Sequence, residues 1–119
     1  MIRSRMPLAR AASLLAVGCI AGTEYTASSS VRAQPKPESC SFDVLTTRPQ
    51  RAFEELGIID FTGGMISSSG RRAGVPDSAS ALKDKAAQTV CGAGGDAVLA
   101  DVNGLGQYVR ATVIRYKAE

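Results

Sequence analysis

Three cysteines carry the most reactive chemistry in this chain of 119 residues, at positions 19, 40 and 91. Cys40 and Cys91 form an even pair once Cys19 is set aside, and in an oxidising compartment such a pair predicts a disulfide. Cys40 precedes a predicted strand and Cys91 lies at the end of a predicted helix. Two separate buried thiols are the alternative interpretation of the same residues.

Cys19 has a different setting, directly after Leu15-Ala16-Val17-Gly18. This stretch resembles the lipobox of bacterial lipoproteins, in which a small residue precedes a cysteine that is acylated and becomes the new N-terminus. We therefore expect a lipid anchor at Cys19. The alternative cleavage site follows Val31-Arg32-Ala33, a small-residue pattern that would leave Gln34 as the first residue.

The N-terminal segment has the pattern of an export signal. Arg3, Arg5 and Arg10 are followed by an apolar run over residues 11–22, which is too short to span a bilayer and has no polar face. We predict a signal peptide over residues 1–22, with its lipobox ending at Cys19. Residues 23–39 are rich in Ser, Pro and charge and predict a flexible tether. Residues 40–119 are then a single domain.

Charge and composition exclude several classes of function. Three of the 14 basic residues precede Cys19, which leaves 11 basic against 11 acidic residues in the rest of the chain. A neutral chain lacks the basic surface that nucleic-acid binding needs, and Arg71-Arg72 is its one basic doublet. The sequence has no His, so the commonest general base and metal ligand are both missing.

The remaining polar residues match no known active site. Asp96 and Asp101 flank a predicted strand and Glu54-Glu55 precede another, without the spacing of a cation site or an acid–base pair. The glycine-rich run 92–95 follows a helix and opens a strand, the reverse of a phosphate-binding loop. Ser78, Ser80 and Asp84 form no triad without His. We therefore predict no catalytic, cofactor-binding or metal-binding residues, and no enzyme.

Periodicity predicts four strands and one helix. Residues 41–47 alternate as a half-buried strand, residues 56–62 favour a strand, and residues 50–55 are ambiguous. Residues 63–76 form a long loop rich in Gly, Ser and Arg, where a partner contact would be easiest to build.

A helix begins at Asp77 or Ser78 and ends at Gly92, and its apolar stripe includes Ala79, Leu82, Ala86 and Val90. Strands over 97–102 and 108–116 are joined by a turn at Asn103-Gly104. The predicted fold is α+β, with one helix packed on a mostly antiparallel four-stranded sheet in the order β-β-α-β-β.

The domain resembles a known group of envelope proteins over roughly residues 42–117. The similarity is carried by Arg48-Pro49, Glu55-Leu56-Gly57-Ile58-Ile59, Leu82-Lys83-x-Lys85-Ala86-Ala87, Gly95-Asp96-Ala97-Val98-Leu99 and Arg110-Ala111-Thr112-Val113-Ile114-Arg115-Tyr116. These segments are similar to the small envelope proteins grouped around RcsF, the outer-membrane lipoprotein sensor of a stress phosphorelay, and more distantly to the YbjQ-like domains. The sensor's domain is held by two disulfides, whereas this chain has cysteines for one beside Cys19.

Together these features predict a non-enzymatic envelope lipoprotein that faces the periplasm, is held to the membrane by its lipid anchor and presents a small domain to envelope protein partners. The resemblance implies a role in envelope stress sensing. The alternative is a soluble periplasmic or secreted module, cut after Ala33, that binds a small ligand or a metal.

Overall fold

One amphipathic helix, α1 (Ala79–Gly92), lies on the sheet and begins where the sequence predicts. Ser78 is extended at its N-cap, and its hydroxyl accepts a hydrogen bond from the Ala81 N–H at 3.0 Å, which satisfies one of the free donors of the first turn. Three residues of the predicted stripe, Leu82, Ala86 and Val90, are fully buried. Gly94 follows the helix with a positive φ, and its N–H donates to the Cys91 carbonyl.

The computed structural model describes residues 19–20, 22–28 and 33–118, and the basic segment, most of the apolar run and Val31-Arg32 lie outside them. No helix of the described part is long and apolar enough to cross a membrane. The described strands are β1 (Cys19–Ile20), β2 (Thr23–Ala27), β3 (Asp43–Leu45), β4 (Phe53–Phe61), β5 (Ala97–Val102) and β6 (Tyr108–Tyr116).

These strands form one sheet in the order β1-β2-β4-β6-β5-β3. All neighbours are antiparallel except β3 and β5, which run parallel from the pair Asp43–Ala97 to the pair Leu45–Leu99. Ile59, Val98, Ala111 and Val113 are fully buried in the sheet and pack with the helix stripe in one core.

The predicted α+β class is confirmed, with one helix among the described residues, but the predicted four-stranded sheet differs from the structure. From β3 onward the element order is β-β-α-β-β; two further strands precede it, and the sheet has six strands of mixed direction. β3 does not pair with β4, its neighbour in sequence. It lies at the far edge beside β5, where the Asp43 N–H donates to the Asp96 carbonyl at 3.4 Å.

Strand β2 lies in the segment for which the sequence predicts a flexible tether. Its five residues pair with β4 from Thr23–Phe61 to Ala27–Gly57. Tyr25 packs against the core and its hydroxyl donates to the Leu56 carbonyl at 3.2 Å. The Tyr25 ring lies so close over Gly57 that a Cβ at position 57 would overlap it. Glycine at position 57 is therefore what lets the aromatic ring cover β4.

Residues 33–40 also pack on the domain. The Lys36 N–H donates to the Cys91 carbonyl at 2.8 Å, and the backbone near Gln34 lies against Gly94, where a side chain would overlap it. Cys40 is bonded to Cys91, with 5.9 Å between their Cα atoms, as the sequence predicts. This disulfide fixes the segment before β3 to the end of α1.

Removing the disulfide should lower the free energy of unfolding by about 4 kcal/mol in the chain-entropy model, because the bond joins residues 51 positions apart. Urea unfolding of Cys40→Ala/Cys91→Ala against the parent measures this. Intact mass after alkylation, with and without reductant, checks the bond itself. Two thiols that alkylate freely without reductant would contradict the pairing.

Gly57→Ala should lower the free energy of unfolding by about 1–3 kcal/mol, because the added methyl group must displace the Tyr25 ring. Gly92→Ala is the matched control, since nothing lies within 4 Å of a Cβ at position 92. Urea unfolding of the two variants compares them. Equal stability would show that β2 does not depend on this close contact.

Candidate functional site

Three segments of the chain meet at one end of the sheet, which we call the loop end: the turn at Gly22, the loop 62–76 and the hairpin loop 103–107. They meet because β2 and β6 begin, and β4 and β5 end, at this same end of the sheet. The Gly22 carbonyl accepts hydrogen bonds from the Thr62 and Gly63 N–H groups at 2.8 and 3.2 Å. The β1–β2 turn therefore fixes the point where the long loop leaves β4.

The long loop is an ordered hairpin. Ile66 and Arg72 form an antiparallel bridge, and the Ala73 N–H donates to the Met65 carbonyl at 2.9 Å. The Ser67 N–H donates to the Arg71 carbonyl at 2.8 Å. These bonds hold the tip of the loop in one shape.

Gln107 joins this hairpin to the second loop. Its side chain accepts from the Arg72 N–H at 3.1 Å and donates to the Arg72 carbonyl at 2.9 Å, while only 3% of the residue is exposed. The Asn103 side-chain oxygen in turn accepts from the Leu105 and Gln107 N–H groups at 2.9 and 3.0 Å. Sequence analysis missed Gln107, since one Gln before a strand forms no pattern of its own.

The two arginines of the doublet are positioned by these loops. Arg71 donates to the Leu105 carbonyl at 2.6 Å and lies 3.5 Å from the Asp77 carboxylate. Arg72 donates to the Thr62 carbonyl at 3.3 Å, and none of the ion pairs among the described residues includes it. The exposed Arg72 guanidinium thus stays accessible to an anion, whereas Arg71 is half-buried and is shared with Asp77.

Large apolar side chains are exposed at the same end. Met65 is 84% exposed and Ile66 is 56% exposed, and Val102 at the end of β5 and Leu105 in the hairpin loop are about 40% exposed. These four make up the large exposed apolar residues of the described part of the chain. An open groove of about 550 Å³ runs between Met65, Ile66, Arg71, Arg72, Asp77 and Gln107. Apolar walls with two cations and one carboxylate leave a net positive charge, which suits an amphiphilic surface or ligand that carries an anionic group.

The opposite end of the sheet holds the carboxylate at Asp96. Lys36 donates to its Oδ1 at 2.6 Å and the Tyr116 N–H donates to its Oδ2 at 2.8 Å. Partial burial works to raise the pKa of Asp96, but the hydrogen bonds from Lys36 and Tyr116 and the charges of Lys36 and Arg115 outweigh it and hold that pKa below its ordinary value. Asp96 is thus an ionised structural group.

The other carboxylates singled out in the sequence do not converge with Asp96. A hydrogen bond from Arg115 to Glu54 lowers the pKa of Glu54. Glu55 and Asp101 are exposed. No group of three His, Cys, Asp or Glu side chains among the described residues could hold a metal ion.

The glycine-rich turn after α1 is used for packing. The Lys36 ammonium donates to the carbonyl of Gly95 in this turn at 3.0 Å, and the Lys36 N–H donates to the carbonyl of Cys91, just before the turn. The turn therefore binds a cation through a carbonyl, whereas a phosphate-binding loop binds an anion through its N–H groups. Ser78, weighed with Ser80 and Asp84 as a possible nucleophile, is the helix cap.

Cys19, the predicted acylation site, lies close to the loop end. Its backbone pairs with Glu24 in the two-residue strand β1, and Ile20 pairs with Thr23 at the turn. Thr23 in turn lies opposite Phe61, the last residue of β4. Along the strand direction, Cys19 is therefore one residue away from the loop end.

No protein-family model matches the chain, and no curated protein or solved structure matches it. The resemblance to the RcsF group therefore stays a prediction, and the functional argument depends on the residues themselves.

Lys36→Met should lower the free energy of unfolding by about 1 kcal/mol at pH 7, because the pair with Asp96 is about one-third exposed and partly screened. The folded-state pKa of Asp96 is depressed, so this stability is present above the unfolded-state pKa of about 3.9 and is lost as the pH falls through the folded value. The difference between the variant and the parent should therefore shrink below about pH 4.

Urea unfolding at a series of pH values measures this difference, with Lys83→Met on the exposed face of α1 as the control. A loss that stays constant from pH 7 to acid would show that Lys36 stabilises the fold through packing alone.

Proposed function

We propose that this chain is a non-enzymatic envelope lipoprotein, acylated at Cys19 and facing the periplasm, that presents its α+β domain to envelope protein partners. Stress sensing is the role that its resemblance to the RcsF group suggests. The proposal depends on how the two alternative cleavage sites relate to the sheet.

The observation that carries the proposal is that the sheet includes Cys19. Cleavage before Cys19 would keep all six described strands, since β1 begins at that residue. Cleavage after Ala33 would remove β1 and β2 and leave β4 as an open edge. Tyr25 would leave the core, and Ile59 and Phe61, 0% and 3% exposed, would lose the strand beside them. An unpaired apolar edge strand favours aggregation, which supports the first site.

The disulfide supports export. Cys40 and Cys91 are bonded, and structural disulfides of this kind form in oxidising compartments such as the periplasm. A domain this small also gains from a cross-link, because it buries a smaller fraction of its surface than a large one.

The contacts of residues 22–28 and 33–40 favour an anchor that holds the domain close to the membrane. Both segments are bonded to the fold, the first through β4 and the second through Lys36 and Cys40. An acylated Cys19 would then have no free spacer between the lipid and the sheet. Partners of such a domain would have to reach it near the bilayer surface.

Metabolic labelling with radioactive palmitate tests the anchor. The full-length chain expressed in a bacterial host should incorporate label, and Cys19→Ala should abolish incorporation because no other cysteine lies at the lipobox. Cys40→Ala/Cys91→Ala is the matched control and should keep the label. An unlabelled parent chain, or a mature N-terminus that begins at Gln34, would reject the proposed anchor.

A further inference from the structure

We propose that the loop end is a membrane-contact surface, in which Met65, Ile66 and Leu105 enter the interfacial layer of the bilayer while Arg71 and Arg72 bind lipid phosphates. This inference deepens the proposed function and rests on the anchor at Cys19 for the orientation of the domain. It concerns a different set of residues from the acylation site, so the two can fail separately.

The apolar part of the surface is held outward by its hydrogen bonds. Gln107 locks the hairpin at Arg72, and Arg71 binds the Leu105 carbonyl, so both loop tips are braced against each other. Met65 and Ile66 cannot fold back into the core while these bonds persist, and they stay 84% and 56% exposed. Burying such side chains in an apolar phase is favourable, so contact with the apolar part of a bilayer would stabilise this surface.

The charged part of the surface suits a phosphate. The loops 62–76 and 103–107 contain Arg71 and Arg72 and no Asp or Glu. Arginine binds phosphate through two parallel N–H groups, and its flat guanidinium is weakly hydrated. Both side chains line the groove with Met65 and Ile66, as does the Asp77 carboxylate.

One carboxylate, Asp77 at the start of the helix, lines the same groove as the two arginines, while Glu24 and Asp60 lie on the strands. Asp77 faces Arg71 at 3.5 Å, and Glu24 and Asp60 line a groove beside Arg72. Arg110 neutralises Asp60 at 2.8 Å, an ion pair that also raises the pKa of Arg110. Because Asp77 pairs with Arg71 and Asp60 pairs with Arg110, Arg72 is the arginine of the doublet that no ion pair of the described residues neutralises.

The bilayer is the occupant that the position of Cys19 favours. Cys19 lies one residue from the loop end and two strands from β4, which is about 10 Å at the usual strand spacing. An acyl chain on Cys19 would enter the membrane beside the loops, with no free chain to carry the domain away. Stable binding to a membrane generally takes two signals, and apolar loop tips with two arginines would supply the second.

The test uses amide hydrogen exchange of the proposed mature chain, residues 19–119, carrying Cys19→Ala, so that neither an acyl chain nor the apolar signal segment contributes. Exchange is measured with and without vesicles of phosphatidylethanolamine and phosphatidylglycerol. Peptides that cover residues 64–70 and 104–106 should exchange at least about threefold more slowly with vesicles, while residues 46–52 at the opposite end should not change.

Three variants in the same background sharpen the test. Met65→Ser/Ile66→Ser and Arg71→Gln/Arg72→Gln should each remove the slowing at both loops, and each should lower the affinity for vesicles roughly tenfold. Arg48→Gln/Arg51→Gln removes two charges from the opposite end, where the arginines stack on Phe53 and Tyr116. This control should keep the slowing.

Two outcomes would overturn the proposal. If both loops exchange equally with and without vesicles, the loop end does not contact the bilayer, and a protein partner would be its remaining occupant. If all variants show equal slowing, another part of the chain binds the vesicles. Neither outcome bears on the anchor, which palmitate labelling tests independently. Conversely, unlabelled Cys19 together with slowed, arginine-dependent exchange would reject the anchor and keep the surface.

Discussion

The pairing of β2 with β4 is the interaction on which the arrangement of this domain depends. It covers the edge of β4, places Tyr25 over Gly57 and brings the Gly22 carbonyl to the first amides of the long loop. Without that pairing, the loop 62–76 would lose the fixed point from which it leaves the sheet. Cys19 would also lose its place at the loop end, because β1 is attached to the sheet only through β2.

The N-terminal segments stabilise a small domain at both of its ends. β2 extends the sheet beyond the core strands, and residues 33–40 close the far end through Lys36 and the bond from Cys40 to Cys91. In the part of the chain that the structure describes, one helix covers the sheet, so contacts made by the preceding segments add to a stability that is small in any domain of this size. Because of these contacts, residues 23–27 and 33–39 lie on the domain, although their composition predicts a flexible tether.

The parts of the fold that follow local rules could be predicted from the sequence. The cap at Ser78, the stripe on α1 and the hairpin from β5 to β6 all involve residues close in the chain. β2 could not be predicted in this way, although residues 23–26 alternate as a strand does. Ser- and Pro-rich neighbours mask so short a pattern, and its paired residues on β4 are 30 to 38 positions away in the chain. The parallel pairing of β3 depends on a crossover that periodicity does not reveal. Arg71-Arg72 stood out in the sequence, but Gln107, which orients it, did not.

The proposed anchor at Cys19 and the proposed membrane contact of the loop end would together limit where a protein partner could bind. The loops, Met65 and the arginine doublet would lie against lipid, and the disulfide end would point away from it, since Cys91 and Asp96 come before β5 and the loops come after it. The exposed face of α1, with Lys83, Asp84 and Gln88, and the short edge strand β3 would remain accessible. A partner would thus contact the helix face, which carries both charge signs, and Arg48 and Arg51 at the end opposite the loops. Its binding would depend on local charge pairs and would weaken as the salt concentration rises. Contact with the bilayer would in this way select the partner surface, because it covers the most apolar part of the domain.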